Sequence, residues 1–209
     1  MSRMVWYAGL DPAFSGDPFG LAIVGRQAGE RKLRLGVARS WKTSKNKKTA
    51  GFDERRAFED DILLEVAELC KQYAVRAVYT DQYAAPQVKE RLSSAGLYVV
   101  TVAMTAQTKT QAFGELRARL LAGELELYEH PQLLAELRRL RTKYTAGSAT
   151  VVNPRVSGSH GDLAQALALA VWQFAGTGGG ELMPRVGGEG GSLRYGDGLT
   201  GGQLRGAEF

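Results

Sequence analysis

Three apolar runs crowd into the first 41 residues, and their spacing limits how the chain can begin to fold. Residues 4–10, Phe19 to Val24 and Lys32 to Trp41 have the length and composition of strands. Turn signals separate them at Asp11-Pro12, Gly16-Asp17-Pro18 and Ala28-Gly29-Glu30. Connections this short leave no room for the crossover that a parallel pair needs, so an antiparallel meander is expected. The period then changes. From Asp53 to Tyr73 the apolar residues Phe58, Ile62, Val66, Leu69 and Tyr73 recur every three or four positions, as in an amphipathic helix. A strand over 75–80, a short helix from Pro86 to near Gly96 and a fifth strand over 97–102 follow. Phe113, Leu116, Leu120 and Leu121 mark another helix, closed by Gly123.

Further on, Leu125-Glu126-Leu127 suits a short edge strand. Pro131 to Tyr144 reads as a helix with Leu133, Leu134, Leu137 and Leu140 on one side. Ala149 to Val156, with β-branched residues around Asn153-Pro154, suits a small β-hairpin or irregular flap, and 162–174 a closing helix. The fold class is therefore α/β: a central mixed five-stranded sheet, three antiparallel strands followed by parallel ones, flanked by helices. Residues 1–175 form one domain of ordinary size. From Gly176 to Phe209 glycine dominates and apolar residues are too few to offset chain entropy by burial, so a Gly-rich flexible tail is expected.

Within this pattern, three acids stand at the ends of elements. Asp11 closes the run Val5-Trp6-Tyr7-Ala8-Gly9-Leu10, Asp81 closes Val75-Arg76-Ala77-Val78-Tyr79-Thr80, and Asp162 opens the apolar helix Leu163-Ala164-Gln165-Ala166-Leu167-Ala168-Leu169-Ala170. A carboxylate at a strand end packs poorly but is well placed to ligate a hard cation such as Mg²⁺ or Mn²⁺, which takes oxygen ligands and completes its shell with water and phosphate. Taken one at a time, each acid also fits a turn or helix cap. Taken together, they suit metal-assisted phosphodiester cleavage. Asp17, in a Gly-Asp-Pro turn, is a candidate for the second metal or its water shell, and His160 beside Asp162 is a candidate to orient a water.

The net charge of +5 points to an anionic partner, with nucleic acid the leading candidate. Lys42, Lys45, Lys47 and Lys48 form the densest positive run. Arg138, Arg139, Arg141 and Lys143 form a second, with Arg138 and Arg141 expected on one helix face. Both groups are candidate DNA contacts, although a charge run also serves simply as a solvated surface. Lys109, near the start of its helix, is a candidate to neutralise charge at a scissile phosphate. Cys70 is the only cysteine, which excludes an intrachain disulfide and a thiolate zinc cluster. No apolar run approaches the roughly 20 residues needed to span a bilayer, and Met1-Ser2-Arg3-Met4 has no signal-peptide pattern.

Three antiparallel strands, a helix, a strand, a helix and a strand is the order of the ribonuclease-H-like fold. The stretches Gly9-Leu10-Asp11-Pro12-Ala13, Tyr79-Thr80-Asp81-Gln82 and His160-Gly161-Asp162-Leu163-Ala164-Gln165-Ala166, with Leu116 to Leu125, resemble the nuclease domain of the large terminase subunit of tailed bacteriophages. That subunit is the motor protein that packages and cuts viral DNA. The resemblance runs from about residue 4 to residue 175. It implies a metal-dependent endodeoxyribonuclease that cuts concatemeric double-stranded DNA with two divalent ions, Mg²⁺ or Mn²⁺, about 4 Å apart. Asp11 would bridge both ions, and Asp81 and Asp162 would each hold one. It further implies the cytoplasm of an infected bacterial host, and the small terminase subunit and portal as partners.

The sequence departs from the family in two places. Many members carry two adjacent acids where this chain has Gly161-Asp162, and the ATPase domain of the full-length subunit is missing, with no G-x-x-x-x-G-K-[ST] loop. The chain thus looks like an isolated nuclease domain. Two alternatives remain open from sequence: a Holliday-junction resolvase or other polynucleotidyl transferase of the same fold, and a nuclease-inactive adaptor that binds DNA or the portal.

Overall fold

The computed structural model describes residues 4–12, 19–41, 52–82, 86–145, 148–152 and 161–175. The first three strands, β1 (Met4–Asp11), β2 (Phe19–Gln27) and β3 (Leu33–Trp41), form the expected antiparallel meander. Helix α1 (Phe52–Gln72) then leads to β4 (Ala77–Asp81), which lies parallel to β1. Helix α2 (Pro86–Ser94) leads to β5 (Val99–Val102), parallel to β4.

Helix α3 (Ala106–Leu121) precedes a two-residue strand, β6 (Leu125–Glu126), which adds to β3 in parallel. The sheet order is β5-β4-β1-β2-β3-β6, so the sheet has six strands and not the expected five. The sixth is the short edge strand anticipated at 125–127. Beyond β6 the edge of β3 is closed by a side chain: Ala38 N–H donates to the Tyr128 hydroxyl at 2.7 Å.

The helix expected over 131–144 is shorter than its leucine period suggests. Helix α4 (Pro131–Arg139) stops five residues before Tyr144, because Leu140 takes the extended angles φ −54° and ψ 133°. Arg141–Thr145 is instead a strand, β7, paired antiparallel with β8 (Ser148–Val152) in a separate two-stranded ribbon. The leucine period ends at Leu140, after which Thr142, Tyr144 and Thr145 favour extended backbone that the β8 ladder satisfies. Arg138 and Arg141 therefore do not share a helix face. They remain neighbours nonetheless, since Arg141 Nη1 donates to the Arg138 and Leu140 carbonyls at 2.8 and 3.0 Å and caps the end of α4. Of the hairpin or flap expected at 149–156, the described part, up to Val152, belongs to the second strand of a hairpin whose first strand lies earlier, at 141–145, and the rest lies outside the described residues.

The sheet has a core on each face. Because side chains alternate across a strand, Ala8, Leu10, Leu21, Ile23 and Val78 pack against α1 and α2, whereas Tyr7, Ala22, Val24 and Tyr79 face the other way. That second face is covered by α3, α4 and α5 (Asp162–Trp172). Helix α5 is buried along nearly its whole length, which explains why its sequence is apolar all round and not amphipathic. Its far end is held by Arg119 of α3, which donates to the Phe174 carbonyl at 3.2 Å, to the Arg31 carbonyl at 3.0 Å and to Glu115 at 2.6 Å. The Leu116–Leu125 stretch thus ties α3 to α5. No helix among the described residues is long and apolar enough to cross a membrane.

Candidate active site

Strand pairing alone brings two of the acids together. In the parallel β1–β4 ladder Leu10 lies opposite Thr80, so Asp11 and Asp81, the next residues, end adjacent strands side by side. Both follow the alternation of Tyr7 and Tyr79, which places them on the α5 face of the sheet. The ends of parallel strands are where open α/β sheets leave a crevice for ligands.

The third acid arrives by backbone packing. At Gly9 of β1 an added Cβ would lie 2.0 Å from the Ala166 carbonyl oxygen, and at Gly20 of β2 one would lie 2.5 Å from the carbonyl carbon and oxygen of Asp162. Helix α5 therefore lies directly on the backbone of two strands, closer than any side chain permits. Gly20 is also the ladder partner of Asp11. The same glycine that admits the first residue of α5 thus fixes it beside Asp11. Asp162 is not the helix cap: that position belongs to Gly161, whose φ of +83° is one that glycine adopts without strain. The departure from two adjacent acids therefore falls on a left-handed residue, where a side chain is unfavourable.

The three carboxylates sense one another. Burial pushes the Asp11 carboxyl well above the usual carboxylate range, and the negative charges of Asp162 and then Asp81 push it the same way. Two weaker influences oppose this. Gln165 Nε2 donates to Asp11 Oδ1 at 2.9 Å, and the Lys109 ammonium, one turn into α3, draws the carboxyl down. Lys109 reaches this edge because β5 ends at Val102, opposite Asp81, and α3 begins only four residues later.

Asp11, Asp81, Asp162 and Lys109 are therefore gathered in one place. Arg138, Arg139, Arg141 and Lys143 lie on α4 and β7. Asp17, His160, Lys42, Lys45, Lys47 and Lys48 fall outside the described residues, as does the tail from 176 to 209. Gln165 is a site residue that sequence reasoning missed. It sits three residues from Asp162 and so on the same helix face, which is the signal that would have found it.

The donor chemistry fits a hard divalent cation: three carboxylates, no thiolate or imidazole among them, and mutual repulsion at Asp11 that a cation would relieve. Among the described residues no group of three or more His, Cys, Asp or Glu side chains is arranged so as to hold a metal ion. The acids form an open electrostatic cluster, which suits an ion that keeps several waters and takes phosphate oxygens as ligands.

The sequence matches no protein-family model and no curated protein. Solved structures do share the fold. The large terminase nuclease from thermophilic phage G20c aligns with a TM-score of 0.62 and 18% identity over 82% of this chain and 83% of that one. The nuclease domain of the large terminase of Thermus phage P74-26 gives 0.61 and 18% over 83% and 82%. The large terminase of bacteriophage HK97 gives 0.64 and 20% over 82% of this chain and 40% of its own length. The G20c nuclease has also been solved with bound magnesium and with bound cobalt. The chain therefore has the ribonuclease-H-like fold of these terminase nuclease domains.

Proposed function

We propose that this chain is a metal-dependent DNA endonuclease domain of the large-terminase type, acting in viral genome packaging. The observation that carries the reading is the convergence of Asp11, Asp81 and Asp162 at one sheet edge, close enough for two of them to raise the proton affinity of the third. Packing needs no such convergence, because three like charges at a half-buried edge oppose folding. A role in binding positive charge explains it.

Asp11, Asp81 and Asp162 would hold one or two divalent ions, Mg²⁺ or Mn²⁺. When bound, these supply a nucleophile from water and stabilise charge on the attacking and leaving oxygens. Asp11 occupies the central place, between Asp81 on the neighbouring strand and Asp162 on α5. The Gln165 amide restrains the Asp11 carboxylate by its bond to Oδ1. Lys109 contributes positive charge where a scissile phosphate would lie.

The decisive experiment is supercoiled plasmid incubated with the purified chain. Nicking is expected with Mn²⁺ or Mg²⁺ and none with a chelator. Binding without cleavage under every divalent ion would favour the nuclease-inactive adaptor.

Phosphate contacts by Lys42, Lys45, Lys47 and Lys48 would give sequence-independent, salt-sensitive affinity. Replacing all four by Ala is expected to weaken binding equally on unrelated duplexes and to flatten log K against log salt by up to roughly 0.9 for each phosphate no longer neutralised. Binding isotherms at several salt concentrations measure this slope. An unchanged slope would transfer the DNA track to Arg138, Arg139 and Lys143, with Arg141 committed in part to capping α4.

A further inference from the structure

Helix α5 begins without a capping side chain of its own. Gly161 holds the N-cap position and has none to offer, so the N–H of Ala164, three residues on, has no local acceptor of the usual kind. The acceptor comes from another helix. Glu136 of α4, only 2% exposed, receives the Ala164 N–H on Oε2 at 2.9 Å. This is the bond that a Ser or Asp at the N-cap would make, supplied across 28 residues.

Glu136 is itself held. Its Oε1 accepts from Gln132 Nε2 at 3.1 Å, and the same amide reaches Ser40 Oγ of β3 at 3.2 Å. Ser40 is the ladder partner of Gly20, and Gly20 carries the backbone of Asp162. The links therefore close into a ring: β2 at Gly20, β3 at Ser40, α4 through Gln132 and Glu136, and α5 at Ala164 and back to Asp162. The strand fixes the helix end from below and Glu136 fixes it from the side. A buried carboxylate in this position also favours the helix dipole.

We propose, resting on the nuclease reading above, that Glu136 is a positioning residue for the reaction: it caps α5 in place of residue 161 and thereby holds Asp162 in register with Asp11 and Asp81. It touches neither substrate nor metal, and acts through the α5 backbone.

Three variants and one amide decide the matter. In the unmodified chain, hydrogen exchange at Ala164 should be as slow as in the middle of α5, although a helix's third residue ordinarily exchanges freely; rapid exchange there would overturn the cap. Glu136→Ala should speed exchange at Ala164, raise the Mn²⁺ concentration needed for half-maximal nicking and lower the maximal nicking rate by about tenfold or more, with the Kd for duplex DNA unchanged. Glu136→Gln keeps an acceptor oxygen for Ala164 and should restore slow exchange and most of the rate. Gln132→Ala, which loosens Glu136 without removing it, should fall between the two. Equal losses in Glu136→Ala and Glu136→Gln would show that the acceptor is not what matters, and a wild-type rate and metal requirement in a folded Glu136→Ala would remove the positioning role. If Glu136→Ala does not fold, the Ala164 exchange and the Gln variant still decide. If the unmodified chain cuts no DNA, the nuclease reading fails on its own, while the exchange measurements still report whether Glu136 caps α5.

Discussion

Asp11→Asn is expected to abolish plasmid nicking while making the protein more stable. The two effects share one cause. Asp11 is partly buried beside Asp162 and Asp81, and its carboxyl is held well above the ordinary range by loss of solvation first and by those two charges next. The folded protein therefore binds a proton at Asp11 more tightly than the unfolded chain does. For an acid whose folded pKa is raised, stability falls as pH climbs from the ordinary Asp value near about 4 up to the folded value, because the charged form is the one penalised.

Asparagine keeps the shape and removes that penalty. Its stability advantage over the parent should be absent below about pH 4, grow as pH rises, and level off above the folded pKa of Asp11. Thermal unfolding across pH measures this directly. Mg²⁺ or Mn²⁺ should raise the Tm of the parent and leave the variant nearly unmoved, since an ion that relieves the repulsion stabilises only the protein that has it. Loss of the central carboxylate should cost at least about 10²–10³-fold in rate, by comparison with removal of a single charge-stabilising group elsewhere. Near-normal nicking by Asp11→Asn in Mn²⁺ would rule out the proposed site.

How much of this was written in the sequence follows from how local each signal is. The strands that end in Asp11 and Asp81 announce themselves by apolar runs of strand length, and short connections dictate the meander. That the two acids meet follows from β1 and β4 being parallel neighbours, which the order of elements implies. The helix that begins at Asp162 was legible for the opposite reason, an unbroken apolar run.

What was missed depends on contacts distant in sequence. Glu136 looks like any surface acid of an amphipathic helix until the far end of α5 is placed against it, 28 residues on. The β7 strand was hidden because Leu133, Leu134, Leu137 and Leu140 carry a helical period up to its edge, and only the β8 partner makes residues 141–145 extended. Gln165 stands within the His160–Ala166 motif, but its bond to Asp11 spans 154 residues. Glycines were the least legible of all. Gly9 and Gly20 read as ordinary strand residues, whereas their role is to be without a side chain where α5 crosses.

That role gives the second large effect. Gly20→Ala places a methyl group 2.5 Å from the carbonyl atoms of Asp162 and 2.9 Å from the Leu163 nitrogen, all of them backbone. Backbone cannot rotate away as a side chain tip does, so α5 must lift at its first turn. Overpacking of this kind costs about 1–3 kcal/mol, and a shift of roughly 1 Å at a reacting group costs on the order of 10²-fold in rate. Cleavage should therefore fall far more than stability.

Gly25→Ala, in the same strand, is the control. Its methyl would meet the Trp6 ring at 2.3 Å, a clash within the sheet's packing that leaves the α5 end alone. It should lower the Tm by a comparable amount and leave the nicking rate, measured well below that Tm, close to the parent's. If Gly20→Ala and Gly25→Ala lower Tm equally and both keep full nicking, then the position of Asp162 is not what the glycine protects. The third carboxylate would then have to be sought elsewhere.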